Sequence, residues 1–186
     1  MPITSKEHFL EGVKIIIPFV HDDDRGFFTE IYNERDLDNE GINFRFIQEN
    51  HSISYKKNTL RGLHAQIYPF AQTKLVRCGQ GSFLDIFVDI RKNSSTFMQW
   101  GAEILSEENK KQILIPDGFL HGFLTHEDNT EIIYKCTNFY SPDHEISVTF
   151  DDHELNINWG IENEDDILIS EKDRNGQSFK SLDNPF

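Results

Sequence analysis

The sequence predicts an all-β fold, an antiparallel jelly-roll barrel with a few short helices. Three observations lead there. Short strand-like runs recur at fairly regular spacing, with turn signals between them. Little of the chain carries a helical period. The length, 186 residues, is that of one ordinary domain, and a jelly roll of that size has a mouth that forms a natural ligand pocket. No repeat, linker or low-complexity segment divides the chain. Residues 1–186 therefore read as a single domain, with the barrel over about 12–173 and a tail over 174–186.

The elements follow in order. Residues 14–20 form an apolar run closing near Pro18. Asp22, Asp23 and Asp24 break it, and Arg25-Gly26 turns the chain into a strand over 27–32. Residues 33–41 begin with a capping asparagine and stop at a glycine, as a short helix does. Residues 44–54 alternate, as do 82–91, where Leu84, Ile86, Val88 and Ile90 share one face. Gly79-Gln80-Gly81 reads as the hairpin turn before that second run. Residues 100–105 and 112–115 flank a charged turn over 106–111. Further strands over 130–139 and 146–150 are split by Ser141-Pro142-Asp143, and 167–186 show little periodicity.

Composition narrows the function. The formal net charge is −14, which argues against nucleic acid or an anionic membrane as the main partner. An anionic substrate would need a local cluster drawn from the 18 Lys and Arg residues. The 37% hydrophobic content is lean, but 16 phenylalanines compensate, because each ring buries a large area. Cys78 and Cys136 lie in apolar runs without metal or disulfide spacing, as free thiols of a reducing compartment do. Residues 1–12 lack the pattern of a signal peptide, and no apolar run has the length of a membrane span. A soluble, cytoplasmic protein is expected.

One stretch concentrates the chemistry: Leu60-Arg61-Gly62-Leu63-His64-Ala65-Gln66, followed by Lys74. It alternates like a half-buried strand carrying one histidine, and the lysine is far enough on to return to its neighbourhood. A histidine near a fixed cation suits proton abstraction. A buried, hydrogen-bonded histidine with an unrelated surface lysine would look the same. Parity places His64 on a face with Leu60, Gly62 and Gln66. It places Gln48 and Asn50 with Phe44 and Phe46, and Tyr134 with Ile132 and Cys136. Polar groups among apolar neighbours are what lines an apolar cavity, although one bulge would reverse the pattern.

Residues 115–123 contain Pro116, Gly118 and His121 in the spacing PxGxxH, the second half of the cupin signature. Where the first half normally has two histidines, the chain reads His64-Ala65-Gln66, and no glutamate follows at the usual interval. A transition metal wants three or four ligands. The reading is a cupin-like barrel without a metal.

The chain resembles the dTDP-4-dehydrorhamnose 3,5-epimerase family from about residue 12 to 173. The resemblance rests on several ordered motifs. They are Asp24-Arg25-Gly26-Phe27-Phe28 with Glu30; Gln48-Glu49-Asn50-His51-Ser52; residues 60–64; Gln72 to Val76; Val88 to Arg91; residues 115–123; Tyr134-Lys135; Tyr140-Ser141-Pro142 with Glu145; and Ser170-Glu171-Lys172-Asp173. It implies an isomerase of dTDP-rhamnose biosynthesis that needs no cofactor and no metal. His64 would be the general base, Asp173 its orienting carboxylate, Tyr134 the acid on the opposite face, and Lys74 the group stabilising the enolate oxygen. Arg25, Glu30, Gln48, Asn50, Arg61, His121, Glu145 and Lys172 match substrate-binding positions, and Phe139 falls where the family stacks a ring on thymine. Arg25 and Glu30 would reach a neighbouring subunit's pocket, which implies a homodimer.

The chemistry is consistent with those roles. A 4-keto sugar has acidic protons at C3 and C5, and removing either gives an enolate that needs a nearby positive group. Inversion returns the proton from the other face, which requires a second acid, and tyrosine is protonated at neutral pH. Arginines suit a diphosphate. Departures from the family pattern are Ala65 for a larger residue, Ile67 for a frequent arginine, Phe139 without a hydroxyl, and Gly160 for a common proline. Ala65 and Ile67, beside His64, leave open an epimerase of C3 alone or C5 alone, or one acting on another nucleotide-linked keto sugar. Outside the family, the alternatives are a metal-dependent cupin oxygenase and a non-catalytic sugar-nucleotide binding module.

Overall fold

The computed structural model describes residues 3–161 and 163–186; Met1, Pro2, Glu162 and the side chain of Glu164 lie outside the description. Chain order gives β1 (Thr4–Glu7), β2 (Lys14–Ile17), β3 (Val20–Asp23), β4 (Gly26–Thr29), helix α1 (Glu34–Asn39) and β5 (Gln48–Ser54). Then come β6 (Thr59–Gln66), β7 (Lys74–Gln80), β8 (Ser82–Asp89), β9 (Trp100–Ser106), β10 (Gln112–Ile115), β11 (Phe119–Thr125) and β12 (Thr130–Cys136). Last are β13 (Glu145–Ser147), β14 (Leu168–Ile169) and helix α2 (Glu171–Arg174).

Two antiparallel sheets form the sandwich. One has the order β1-β2-β10-β7-β12-β5, and the other β13-β6-β11-β8-β9 with β14 added in parallel beside β6. Alternation decides what fills the space between them. From the first sheet Val76, Ile113 and Ile132 point inward, and from the second Phe83, Phe87, Leu105, Phe119 and Phe123 meet them. The jelly-roll expectation holds.

The outer faces are also covered. Asn33 caps α1 by accepting from the Arg35 and Asp36 N–H groups, and Glu34 and Asp36 lie in its first turn. Leu37 and Ile42 then pack on Ile16, Leu75 and Leu114 outside the first sheet. Outside the second sheet, Leu60, Leu63, Ala65, Ile86, Val88, Leu120 and Leu124 are sealed by Val148, Phe150, Leu155, Trp159, Ile167 and Phe179. The segment that showed no periodicity is therefore a cover. The Asp152 carboxylate accepts from the Phe179 N–H (2.8 Å), and Asn184 Nδ2 donates to the Ile90 carbonyl (2.5 Å), so side-chain hydrogen bonds add to the short β14–β6 ladder in holding it.

Three expectations about local structure change. β3 runs through Asp22 and Asp23, because the β3–β4 hairpin stands off the sandwich and both of its faces stay wet. The strand expected over 44–54 begins only at Gln48. The parity of β6 reverses. His121 pairs with His64 but Phe123 pairs with Arg61, so two residues, Gly62 and Leu63, oppose Gly122 alone. Leu60, Leu63 and Ala65 consequently face the outer core, whereas Arg61 and His64 face the cavity. His64 does not share a face with Leu60.

If the tail is part of the fold, Phe179→Ala should destabilise the protein by about 3–5 kcal/mol, the range for emptying a buried aromatic site. A urea midpoint unchanged from the parent would show that the segment does not contribute to the global transition.

Candidate active site

The cavity opens between the two sheets as adjoining lobes of about 340 and 320 Å³. His64, Lys74 and Tyr134 belong to both lobes. The sheets supply opposite walls: His64 from β6 and His121 from β11 on one side, Lys74 from β7 and Tyr134 from β12 on the other. Facing sheets stand roughly 10 Å apart, so side chains from the two walls reach toward one enclosed space.

His64 Nε2 lies 2.7 Å from Asp173 Oδ1. The Gly62 N–H donates to Asp173 Oδ2 (3.4 Å), and the Asp173 N–H donates to Ser170 Oγ, the cap of α2. Burial pushes the Asp173 carboxyl up, but its bonds to His64, Gly62 and Ser170 outweigh that and hold it below the ordinary carboxylate value. An ionised carboxylate on Nε2 fixes that nitrogen as the donor, so Nδ1 carries the lone pair and is the basic atom.

Burial raises the Tyr134 phenol. Arg61 and a hydrogen bond from Asn50 only partly offset this, so the group keeps its proton at neutral pH. Asn50 is held by Gln48, whose Nε2 donates to Asn50 Oδ1 at 3.1 Å. Burial pushes the Lys74 ammonium down, while the Asp85 and Glu145 carboxylates pull it back toward the charged form; the Cys136 thiol beside it, raised by burial, keeps its own proton. Among the described residues the Lys74 ammonium makes no hydrogen bond and no ion pair, which leaves its donors for a ligand.

A polar rim completes the cavity. Glu145 pairs with Lys172 and accepts from the Tyr140 hydroxyl at 2.8 Å. Burial raises its carboxyl, but these partners outweigh burial and lower it. Gln66 donates to the Phe70 and Phe139 carbonyls and accepts from the Ser141 N–H, which pins the 139–141 segment over the mouth.

Of the residues expected from sequence, His64, Asp173, Tyr134, Lys74, Gln48, Asn50, Arg61, His121, Glu145 and Lys172 converge here. Arg25 and Glu30 do not. The Arg25 side chain is 89% exposed on the β3–β4 hairpin and paired with Asp23, away from this cavity. Glu30 accepts from Asn33 Nδ2 at the foot of that hairpin. Phe139 is 59% exposed, and it is the neighbouring Tyr140 that lines the wall. Ala65 borders the cavity while its side chain belongs to the outer core. Sequence reasoning did not single out Tyr140, Gln72, Ser52 or Asp85 as site residues. Asp85 was detectable: if Leu84, Ile86 and Val88 share one face, Asp85 falls on the other, between Phe83 and Phe87.

Among the described residues, no group of three or more His, Cys, Asp and Glu side chains is placed to hold a metal. His64 and His121 each have Nε2 on a carboxylate. No described helix is long and apolar enough to cross a membrane.

The lowered Asp173 carboxyl has a signed consequence. Its folded value lies below its unfolded one, so its contribution to stability is complete above the ordinary pKa of about 4. That contribution is lost as pH falls through the lower folded value. Urea midpoints of the parent should therefore fall more steeply than those of Asp173→Asn between about pH 5 and pH 2. Parallel curves would mean that the carboxylate is not stabilised in the fold.

Comparison with known proteins adds the following. The family model described as dTDP-4-dehydrorhamnose 3,5-epimerase matches residues 7–181. The dTDP-4-dehydrorhamnose 3,5-epimerase of Pseudomonas aeruginosa is 47% identical over 175 residues, 94% of each chain. The crystal structure of the Legionella pneumophila 3,5-epimerase in complex with dTDP-4-keto-L-rhamnose superposes with a TM-score of 0.90 at 40% identity. That match covers 97% of this chain and 95% of that one. A 3'-monoepimerase from Streptomyces bikiniensis in complex with dTDP-quinovose gives 0.81 at 32% identity, covering 92% and 85%.

Proposed function

The chain belongs to the dTDP-4-dehydrorhamnose 3,5-epimerase family, and from that premise we propose that it is an isomerase inverting dTDP-4-dehydro-6-deoxy-D-glucose at C3 and C5 to give dTDP-4-dehydro-L-rhamnose. The observation that carries the reading is the opposition of the His64–Asp173 pair on one sheet to the Tyr134 phenol on the other, with Lys74 lining the same cavity from the Tyr134 side and making no ion pair among the described residues.

The step balances without a cofactor. His64 Nδ1 takes the proton from the carbon beside the ketone, and the C–H electron pair moves into an enolate whose oxygen meets Lys74. The Asp173 carboxylate stabilises the imidazolium that forms. Tyr134 returns a proton from the opposite wall, which inverts the carbon. Repetition at the second carbon uses the same groups once the protons are reset through solvent. Arg61 and Lys172 border the lobe beside His64 and would bind the diphosphate, while Gln48, Asn50, His121 and Glu145 contact the sugar nucleotide. The free buried thiols of Cys78 and Cys136 suit a cytoplasmic location.

Arg25 enters this reading only through a second copy. The hairpin that carries it also exposes Phe27 and Phe28, an apolar surface that a homodimer would cover, delivering Arg25 and Glu30 to the partner's cavity. The other reading is inversion at one carbon only. The likeness to the Streptomyces 3'-monoepimerase and the residues Ala65 and Ile67 favour it.

Incubation with the 4-keto sugar nucleotide in heavy water, followed by NMR, decides between them. Deuterium and inversion at both carbons establish the double epimerase, and one carbon selects the single one. No incorporation sinks both. In the same assay His64→Ala should lose exchange at both carbons by about 10²–10⁴-fold, with dTDP affinity retained. Tyr134→Phe should lose inversion more than exchange, and equal losses would contradict the division between base and acid.

A further inference from the structure

We propose that Asp85 is a positioning residue for this reaction: a carboxylate sealed under the cavity that holds His121 in one tautomer and is the counter-charge of Lys74. The proposal rests on the epimerase reading of the site. β8 turns Asp85 inward between Phe83 and Phe87, and all three are 0% exposed. Oδ1 lies 2.7 Å from Nε2 of His121, itself buried between Phe119 and Phe123 on β11. Oδ2 is buried and has no hydrogen-bond partner among the described residues. A half-satisfied carboxylate in a phenylalanine layer is costly, and an apolar residue would pack there at less cost.

Its neighbours do not explain it. In register it faces Phe123 on β11 and Glu103 on β9, and Glu103 is already paired with Lys111. Lys74 lines the same lobe as His121, the hydrogen-bond partner of Asp85, and the Asp85 carboxylate favours its charged form. The titratable groups facing Lys74 are Asp85 on β8, the protonated Cys136 thiol on β12 and Glu145 on β13, and those facing His121 are Asp85, Lys74 on β7 and His64 on β6.

The consequences are chemical. An ionised carboxylate at Nε2 places the His121 proton there and leaves Nδ1 as an acceptor, so the ring cannot turn to offer the other edge. An ammonium that must meet a developing enolate has to be charged before the proton leaves carbon. Burial alone drains that charge. Asp85 works against that loss without touching the substrate.

Asp85→Asn keeps the volume and removes the charge. The affinity for dTDP and the KM should stay within about threefold, while kcat near pH 7.5 falls by about 10²-fold, the scale of one lost enolate contact. The alkaline limb of kcat should move to lower pH by a unit or more, because Lys74 then deprotonates earlier, and the deficit should shrink as pH is lowered. A deficit equal at every pH, or an unchanged kcat, overturns the proposal. If the variant does not fold, ¹⁵N NMR of the unsubstituted protein still tests the lock: His121 should carry its proton on Nε2, and a proton on Nδ1 refutes it. Parent protein that binds dTDP yet shows no exchange would defeat the epimerase reading, and the His121 tautomer would still decide the assignment made here.

Discussion

The site depends on two glycines that meet backbone to backbone. At Gly62, φ is +114°, and a Cβ there would lie 2.6 Å from Gly122 Cα and 2.7 Å from the His121 carbonyl. A Cβ at Gly122 would lie 2.8 Å from the Arg61 carbonyl. Neither position has room for a side chain, and only glycine adopts the first conformation readily. What this contact permits is the extra residue in β6. Without it a regular strand would send Arg61 and His64 to opposite faces. With it, three residues of spacing bring a guanidinium and an imidazole to the same cavity, and the Gly62 N–H is left to hold Asp173.

That local geometry works against an unfavourable global field. A chain of net charge −14 repels a dinucleotide-like anion at long range, yet screening confines this to about 8–10 Å in physiological salt. Inside the sandwich the dielectric is lower and unscreened charges dominate. There, among the described residues, no carboxylate lies within ion-pair distance of Lys74, and Arg61 is solvent-facing at the rim. Lys172 is paired with Glu145, and it is the lysine whose partner an incoming anion could replace. The acidity of the surface and the cationic character of the pocket are therefore separate properties, set at different distances.

Most of the architecture was legible because alternation is a local property. The run 82–91 announced β8, and Asn33 with Gly41 announced α1. His64, Tyr134 and Lys74 were legible as polar residues in apolar strands. Asp173 was not: it sits in an aperiodic segment, and only the resemblance pointed to it. Its place depends on contacts 109 residues apart, which no periodicity encodes. The bulge in β6 and the parallel strand β14 escaped for the same reason, since register is decided between strands. Tyr140 and Phe139 are adjacent aromatics, and backbone bonds from Gln66 and Gln48 decide which one lines the wall.

The C-terminal cover shows why stability and chemistry are joined in this fold. Phe179, Ile167 and Trp159 seal the outer core, and the same stretch of chain carries Ser170 and Asp173 into the back of β6. The carboxylate reaches His64 only while those apolar side chains are docked. Their burial supplies the free energy that offsets placing an ionised group at 7% side-chain exposure. A looser cover would let water reach Asp173, and the imidazole would lose both its orientation and its counter-charge. The orientation of the His64 imidazole is thus set from outside the barrel, by packing on the face of the sheet turned away from the cavity.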